Sequence, residues 1–340
     1  MFKILPGALL GWGLGSNDTS NIFGTAVANR IIKFSQAALI TSVFVILGAL
    51  LEGDKTFHTV GNLFVNLAYS DIFSITLGAA ISVAVFTYMK LPISTSQALV
   101  GSILGIGFIK GEQLNTGKLI KIILCWITTP IGGFIIGFLL YLIIRWIFSK
   151  IKYGVGFYNN FVKFGIIIAG GFGAYSLGAN NVGNVTGIYA VNTPNMFRDG
   201  LVLFNGFLMK IGIPSIPVGS FLSSTRFWGL LGGIFIAIGV YTYSKRVMIT
   251  VGKKISSLDP LMALVAVLAE SITIWIYTQI GVPVSTSQAI VGAVAGVGAV
   301  KSIRNIQFRM LGKIGLGWLF TPLSAAGVTI LIHFIVRWIT

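Results

Sequence analysis

Acidic side chains are what this chain has least of: Asp and Glu together number 8 among 340 residues, against 24 Lys and Arg. Charged residues make up 9% of the sequence and apolar residues 55%, whereas soluble domains carry roughly 25% charge. That shortage excludes a water-solvated globular surface and leaves lipid as the solvent for most of the chain. Backbone groups in lipid need internal partners, so helices or a closed barrel remain. Apolar runs of about 20 residues without period-two alternation select helices. A single cysteine, Cys125, excludes an intrachain disulfide and a thiolate metal site. The two histidines, His58 and His333, stand far apart and in no ligand-spaced motif, so neither a transition-metal centre nor a bound cofactor is expected. The basic residues sit singly or in pairs at the ends of apolar runs, as with Arg30 and Lys33 or Lys253 and Lys254. That is interfacial anchoring, not a nucleic-acid-binding arm, although the positive excess also draws anions.

The apolar runs fall at 4–27, 37–51, 72–89 and 119–148, then at 164–191, 228–243, 258–280 and 314–339. Shorter pieces at 60–69, 98–109 and 289–300 cannot span a bilayer alone. Residues 1–14 carry no small-residue cleavage site and read as a retained first helix. Pro130 predicts a tilt or kink in the fourth run.

The chain repeats itself. Pro92 and Pro283 lie 191 residues apart, and the six residues after them read Ile-Ser-Thr-Ser-Gln-Ala and Val-Ser-Thr-Ser-Gln-Ala. Trp126 and Trp318, like Pro130 and Pro322, lie 192 apart, and Gly15 and Gly178 lie 163 apart. The shorter first offset is explained by an added segment in the second half. The expected organisation is a first membrane repeat over 1–148, a short linker at 149–160, and a second repeat over 161–340 with an insertion at 192–225. The fold class is an all-α polytopic membrane protein of two homologous repeats, favoured as inverted, with broken helices and re-entrant hairpins.

Two motif pairs carry the chemistry. In Pro-x-Ser-Thr-Ser-Gln, proline ends one helix and the first serine caps the next. The result is a hairpin tip whose free N–H groups and hydroxyls make an anion cradle. Its members are Ser94, Thr95, Ser96 and Gln97, with Ser285, Thr286, Ser287 and Gln288, and Asn17 and Asn180 nearby. The plainer alternative is that the hydroxyls bond back within a kinked helix. The second pair, Gly15-Ser16-Asn17-Asp18-Thr19-Ser20-Asn21 and Gly178-Ala179-Asn180-Asn181-Val182-Gly183-Asn184, interrupts apolar runs and predicts helix breaks, the plainer alternative being helix packing by small residues with Asn as interhelical glue. Asp18, Asn21, Asn181 and Asn184 are candidate oxygen ligands for Na⁺. Of the eight acids, only Asp18 and Glu270 fall inside apolar runs; the others, Asp71 and Asp259 among them, fall at run ends where solvation is expected. Glu270 has a coupling role or pairs with a Lys, Arg or Trp of a neighbouring helix.

These motifs resemble the signatures of the inorganic phosphate transporter (PiT) family. Gly-Ser-Asn-Asp-Thr-Ser-Asn-Ile-Phe-Gly-Thr is similar to its first signature, Gly-Ala-Asn-Asn-Val-Gly-Asn to its second copy, and Pro-x-Ser-Thr-Ser-Gln to its paired Pro-Val-Ser-Thr-Thr-His motif. The resemblance implies a Na⁺- or H⁺-coupled phosphate symporter in the cell membrane, often a homodimer. It departs from the pattern at Asn181, where the family has Asp, and at Gln97 and Gln288, where it has His. One acid fewer moves the balance slightly toward sulfate, while Asp18 keeps phosphate ahead. The rivals are a sulfate or related oxyanion permease and, further behind, an anion channel. No catalytic dyad or metalloprotease motif is visible, so no enzyme is expected.

Overall fold

The structure is a computed structural model that describes residues 2–63, 67–89, 93–111, 114–193, 196, 209–210, 221, 224–255, 258–301 and 308–339. Two expectations therefore lie largely outside the described residues: Pro92 and most of the insertion at 192–225. In chain order the helices are α1 (Leu5–Ala28), α2 (Phe34–Glu52), α3 (Asp54–Gly61), α4 (Tyr69–Tyr88), α5 (Thr95–Lys110) and α6 (Thr116–Lys150). The second set is α7 (Val155–Val182), a π turn at Gly183–Gly187, α8 (Ile188–Asn192), α9 (Thr225–Thr242), α10 (Ser244–Ile255), α11 (Pro260–Gln279), α12 (Thr286–Lys301) and α13 (Phe308–Ile339). Among the described residues, 7 helices are long and apolar enough to cross a membrane. No strand interrupts the described helices, which bears out the all-α polytopic class.

The repeat is visible in the packing. Gly15 of α1 lies so close to α9 that an added Cβ would meet the Ile236 carbonyl oxygen at 1.9 Å. Gly178 of α7 lies just as close to α2, where its Cβ would meet the Val45 oxygen at 2.1 Å. Val45 and Ile236 are 191 residues apart and the glycines 163 apart. Thus α1 on α9 and α7 on α2 are one contact made twice, each time across the halves. The offset changes between α1 and α2 because the second half carries its extra residues between α8 and α9.

The helix breaks fall at the Ser-Thr-Ser-Gln tips. α4 ends at Tyr88 and α5 begins at Thr95; α11 ends at Gln279 and α12 at once follows an extended stretch, beginning at Thr286. Gly281 takes φ +76, a left-handed turn that only glycine enters without strain. Ser94 and Ser285 cap the following helices, each hydroxyl oxygen accepting at 3.3 Å from the amide of Gln97 or Gln288. α5 and α12 have 16 residues each, too short to span. Each packs on a long peripheral helix of the opposite half, α5 on α13 and α12 on α6. α6 buries one stripe, Ile122, Cys125, Thr129, Gly133, Gly137 and Tyr141, and shows Ile123, Ile127, Ile131 and Ile135 to lipid.

Three expectations are corrected. α1 runs without interruption through Gly15–Asn21, so no unwound carbonyls are available there. Its small polar residues satisfy the helix from within: Ser16 donates to the Trp12 carbonyl at 2.7 Å, Ser20 to that of Asn17 at 2.6 Å, and Thr19 to that of Gly15. The matching motif in α7 also stays helical but passes into the π turn at Gly183–Gly187, which carries Asn184. The connection expected over 149–160 shrinks to residues 151–154, because residues on both sides extend α6 and α7. α6 runs on through Pro130 and has 35 residues in all.

Candidate functional site

The two hairpin tips meet at the centre of the molecule and bond to each other reciprocally. The Ser96 hydroxyl donates to the Val284 carbonyl at 3.1 Å, and the Ser287 hydroxyl donates to the Ile93 carbonyl at 3.1 Å. Both pairs of positions are related by 191 residues. The motif helices then tie the tips down in the same duplicated way. Asn17 donates to Thr87 at 3.1 Å, and Asn180 to Thr278 at 3.0 Å, each within its own half. Asn21 donates to Thr286 at 3.2 Å and to Ser287 at 3.4 Å, while Asn184 donates to Ser96 at 2.8 Å, each across to the other half. A pseudo-two-fold relation thus organises the site, and all fourteen motif residues named for it, with Glu270, are between 0 and 6% exposed.

The structure brings the sequence-derived set together but divides its labour. Asn180 is a latch: both amide hydrogens are given away, to Thr278 and at 3.0 Å to the Val282 carbonyl, and its oxygen accepts from the Val284 amide at 2.8 Å. In this arrangement no donor is left for an anion; Asn180 stands in for a helical hydrogen-bond ladder in the extended stretch before α12. Ser96 also gives its hydroxyl to Asn181 at 3.3 Å. The Thr95 hydroxyl has no partner, and those of Ser94 and Ser285 accept caps while keeping their own hydrogens. The first amides of α5 and α12 have no carbonyl one turn back, so two helix N-termini bring positive ends to the tips. Thr87 and Thr278, partners of the asparagine latches, were missed; their 191-residue spacing is the signal that would have found them.

Unpartnered buried atoms concentrate here and are mostly acceptors. They include Asp18 Oδ1, Asn184 Oδ1, Gln97 Oε1, Gln288 Oε1 and both oxygens of Glu270, against the single donor nitrogen Asn181 Nδ2. Asp18 accepts from Thr286 through its other oxygen, and Glu270 lies near enough for the two carboxyl groups to interact. Glu270 has none of the Lys, Arg or Trp partners considered for it. Buried oxygens without donors cost free energy until something positive or proton-bearing meets them. The oxygen set of Asp18 and Asn184 has the hardness that Na⁺ prefers. Asn21 turns its amide nitrogen to the second tip, donating to Thr286 and Ser287, and that nitrogen is no cation ligand.

Fold and site together define a multi-pass membrane transporter with a duplicated, closed central site. The chain belongs to the phosphate transporter family, whose profile matches residues 14–329. It is 27% identical over 419 residues to a putative phosphate permease of Pyrococcus abyssi, covering 100% of this chain and 98% of that one. A putative phosphate permease of Methanocaldococcus jannaschii is 28% identical over 320 residues, covering 94% and 92%. Among solved structures, one titled as the sodium-dependent phosphate transporter superposes with a TM-score of 0.81, at 22% identity and over 99% of this chain and 98% of that one. That likeness bears out the fold.

Proposed function

We propose that this phosphate transporter is a secondary active importer coupled to Na⁺ or H⁺, with its two repeats inverted in the membrane. The observation that carries the reading is the surplus of unpartnered acceptor oxygens beside two helix N-termini. Donors from the tips suit an oxyanion. Surplus acceptors suit a co-transported cation, and they also suit the protons that phosphate carries near neutral pH and sulfate does not. Each Gln amide presents oxygen or nitrogen by rotating half a turn, so Gln97 and Gln288 serve either phase.

Coupling is what the electrical term demands. Moving a divalent anion inward against about 100 mV costs roughly 4.6 kcal/mol, which two cations would cancel. Asp18, with Asn184 and Glu270, is the cation side of the site. Ser94, Thr95 and Ser285 are the anion side, with Ser96, Ser287 and Thr286 joining once their present bonds open. Alternating access would move the hairpins against α6 and α13.

The test is uptake of labelled phosphate into proteoliposomes in the cell-membrane orientation, with imposed Na⁺ and pH gradients. Expected is saturable uptake that requires one of the two gradients, is competed by arsenate and is little affected by sulfate. Non-saturating flux without cation dependence would mean a channel, and block by sulfate at phosphate-like concentrations would mean a broader oxyanion permease.

A further inference from the structure

At the far end of the first hairpin, away from the central site, an open cavity of about 400 Å³ is lined by Ser70, Asp71, Lys110, His333 and Arg337. Asp71, expected at the sequence level to be solvated, is 2% exposed. One of its oxygens accepts from Lys110 at 2.8 Å and from the Ala68 amide at 2.9 Å. Its other oxygen stands 3.8 Å from His333 Nδ1, beyond hydrogen-bond reach. His333 is 2% exposed, and neither ring nitrogen has a hydrogen-bond partner. Lys110 is balanced by Asp71, which leaves the Arg337 guanidinium as the excess charge of the cavity. The start of α4 and the Ser70 hydroxyl add further donors, and Lys3 sits 4.1 Å over the adjoining Tyr69 ring. A buried imidazole with no hydrogen-bond partner, on the wall of a cavity of net positive charge, suits an oxyanion.

The repeat supplies an internal control. The positions that match Lys110, His333 and Arg337 are Lys301, Tyr141 and Arg145. There a buried tyrosine stands where the first cluster has its histidine, and the side chain of the acid partner, Asp259, is 36% exposed against 3% for Asp71. The same three helix ends therefore meet twice, and the unpartnered imidazole occurs at one of them. The first cluster also sits at the lipid boundary. Phe108, two residues before Lys110, and Trp338, next to Arg337, are 85 and 89% exposed, as side chains facing acyl chains are.

We propose that this cavity is a second oxyanion site, separate from the transport site, which takes a phosphate group through Arg337, His333 and Ser70. The group is either the headgroup of an anionic phospholipid, whose chains would lie along Phe108 and Trp338, or free inorganic phosphate. Basic pockets between membrane helices take lipid phosphates in this manner.

The experiment is a thermal-melting titration of the purified full chain with phosphatidylglycerol, with a phosphate-free glycolipid of the same acyl chains, and with inorganic phosphate. Wild type is compared with Arg337→Gln and with His333→Gln, which preserves polarity and size. Stabilisation by phosphatidylglycerol above that of the glycolipid, with its midpoint shifted about fivefold upward in Arg337→Gln, supports the site with lipid as its source. No lipid preference, with a phosphate midpoint that shifts by that factor in both variants, supports it with the free ion. Midpoints for both ligands that stay unchanged in both variants overturn it. Phosphate binding at the central site is read separately, as labelled uptake, and keeps its apparent affinity in both variants.

Discussion

The two halves share their bonds and differ in their charges. Position for position, the tips exchange Ser96–Val284 for Ser287–Ile93, and the latches exchange Asn17–Thr87 for Asn180–Thr278. Yet Asp18 corresponds to Asn181, and Glu270 corresponds to Ala79. Both buried carboxyl groups therefore lie on one side of the pseudo-two-fold relation and sense each other. A symmetric frame suits an oxyanion, whose oxygens are alike. An asymmetric set of acids confines the cation to one side of that frame, and it is the asymmetry, not the frame, that fixes how many cations travel.

The sharpest way to break this comparison is to remove the first of its two charge differences. Asp18→Asn makes the first motif resemble the second at that position. Cation-dependent uptake should fall about a hundredfold, the scale of losing one partner of a buried ionic contact, about 3 kcal/mol. Asn181→Ala removes neutral bonds with Ser96 and Asn184 and should cost roughly tenfold or less. Labelled uptake at varied Na⁺ and pH reads both; equal losses would put the cation on both sides.

A second difference lies at the outer ends of the hairpins. Lys110 and Lys301 occupy matching positions and each bonds an aspartate, at 2.8 and 2.7 Å. The Asp71 side chain is 3% exposed and that of Asp259 is 36% exposed. Lys110→Met leaves the Asp71 carboxylate buried with only the Ala68 amide, and should lower stability by about 3 kcal/mol. The melting temperature of the purified protein checks this; a loss no larger than at Lys301 would show that Asp71 finds water.

The hairpins, the duplication and the central cluster were legible in the sequence for physical reasons. Proline followed by a capping serine ends one helix and starts another, and an intramembrane polar residue has to meet a partner. The unbroken α1 was legible only as the alternative, close packing of small residues, and not as the favoured reading. Polar residues in an apolar run read as a break, but serine and threonine can return their hydrogen bonds to the preceding turn, and Ser16, Thr19 and Ser20 all do. Burial of Asp71 was hidden for a different reason. Its partner Lys110 is 39 residues away, and His333, which covers it from 3.8 Å, is on the last helix, so only tertiary packing reveals that a run end is enclosed. Asn180 lies with the tips, but its bonds run to a backbone stretch whose partners no residue pattern announces.

The duplicated tip contact gives a smaller effect with a stricter expectation, equality. Ser96→Ala and Ser287→Ala each remove one hydroxyl that donates to the opposite tip and accepts from an asparagine amide. Each should cost about 1 kcal/mol of stability in the closed arrangement. Both should raise the apparent KM for phosphate to a similar degree, read from saturation curves of labelled uptake. A strong effect at one serine with none at the other would mean that the tips are unequal partners despite their matching bonds.

The smallest effect belongs to Lys301→Met. The pair it breaks is 2.7 Å long, but the two side chains are 47 and 36% exposed, so water solvates both charges once they part. Asp259 keeps its second task, accepting from the Met262 amide at 2.9 Å as the cap of α11, whether or not Lys301 is present. An exposed pair of this kind contributes about 0.5 kcal/mol, less at high salt. Melting curves should therefore separate Lys301→Met only slightly from wild type at low salt and not at all near 1 M, where screening acts within about 3 Å. A loss as large as that of Lys110→Met would mean that the second hairpin end is as enclosed as the first, and the difference between the halves would then reduce to the carboxyl groups of the central site.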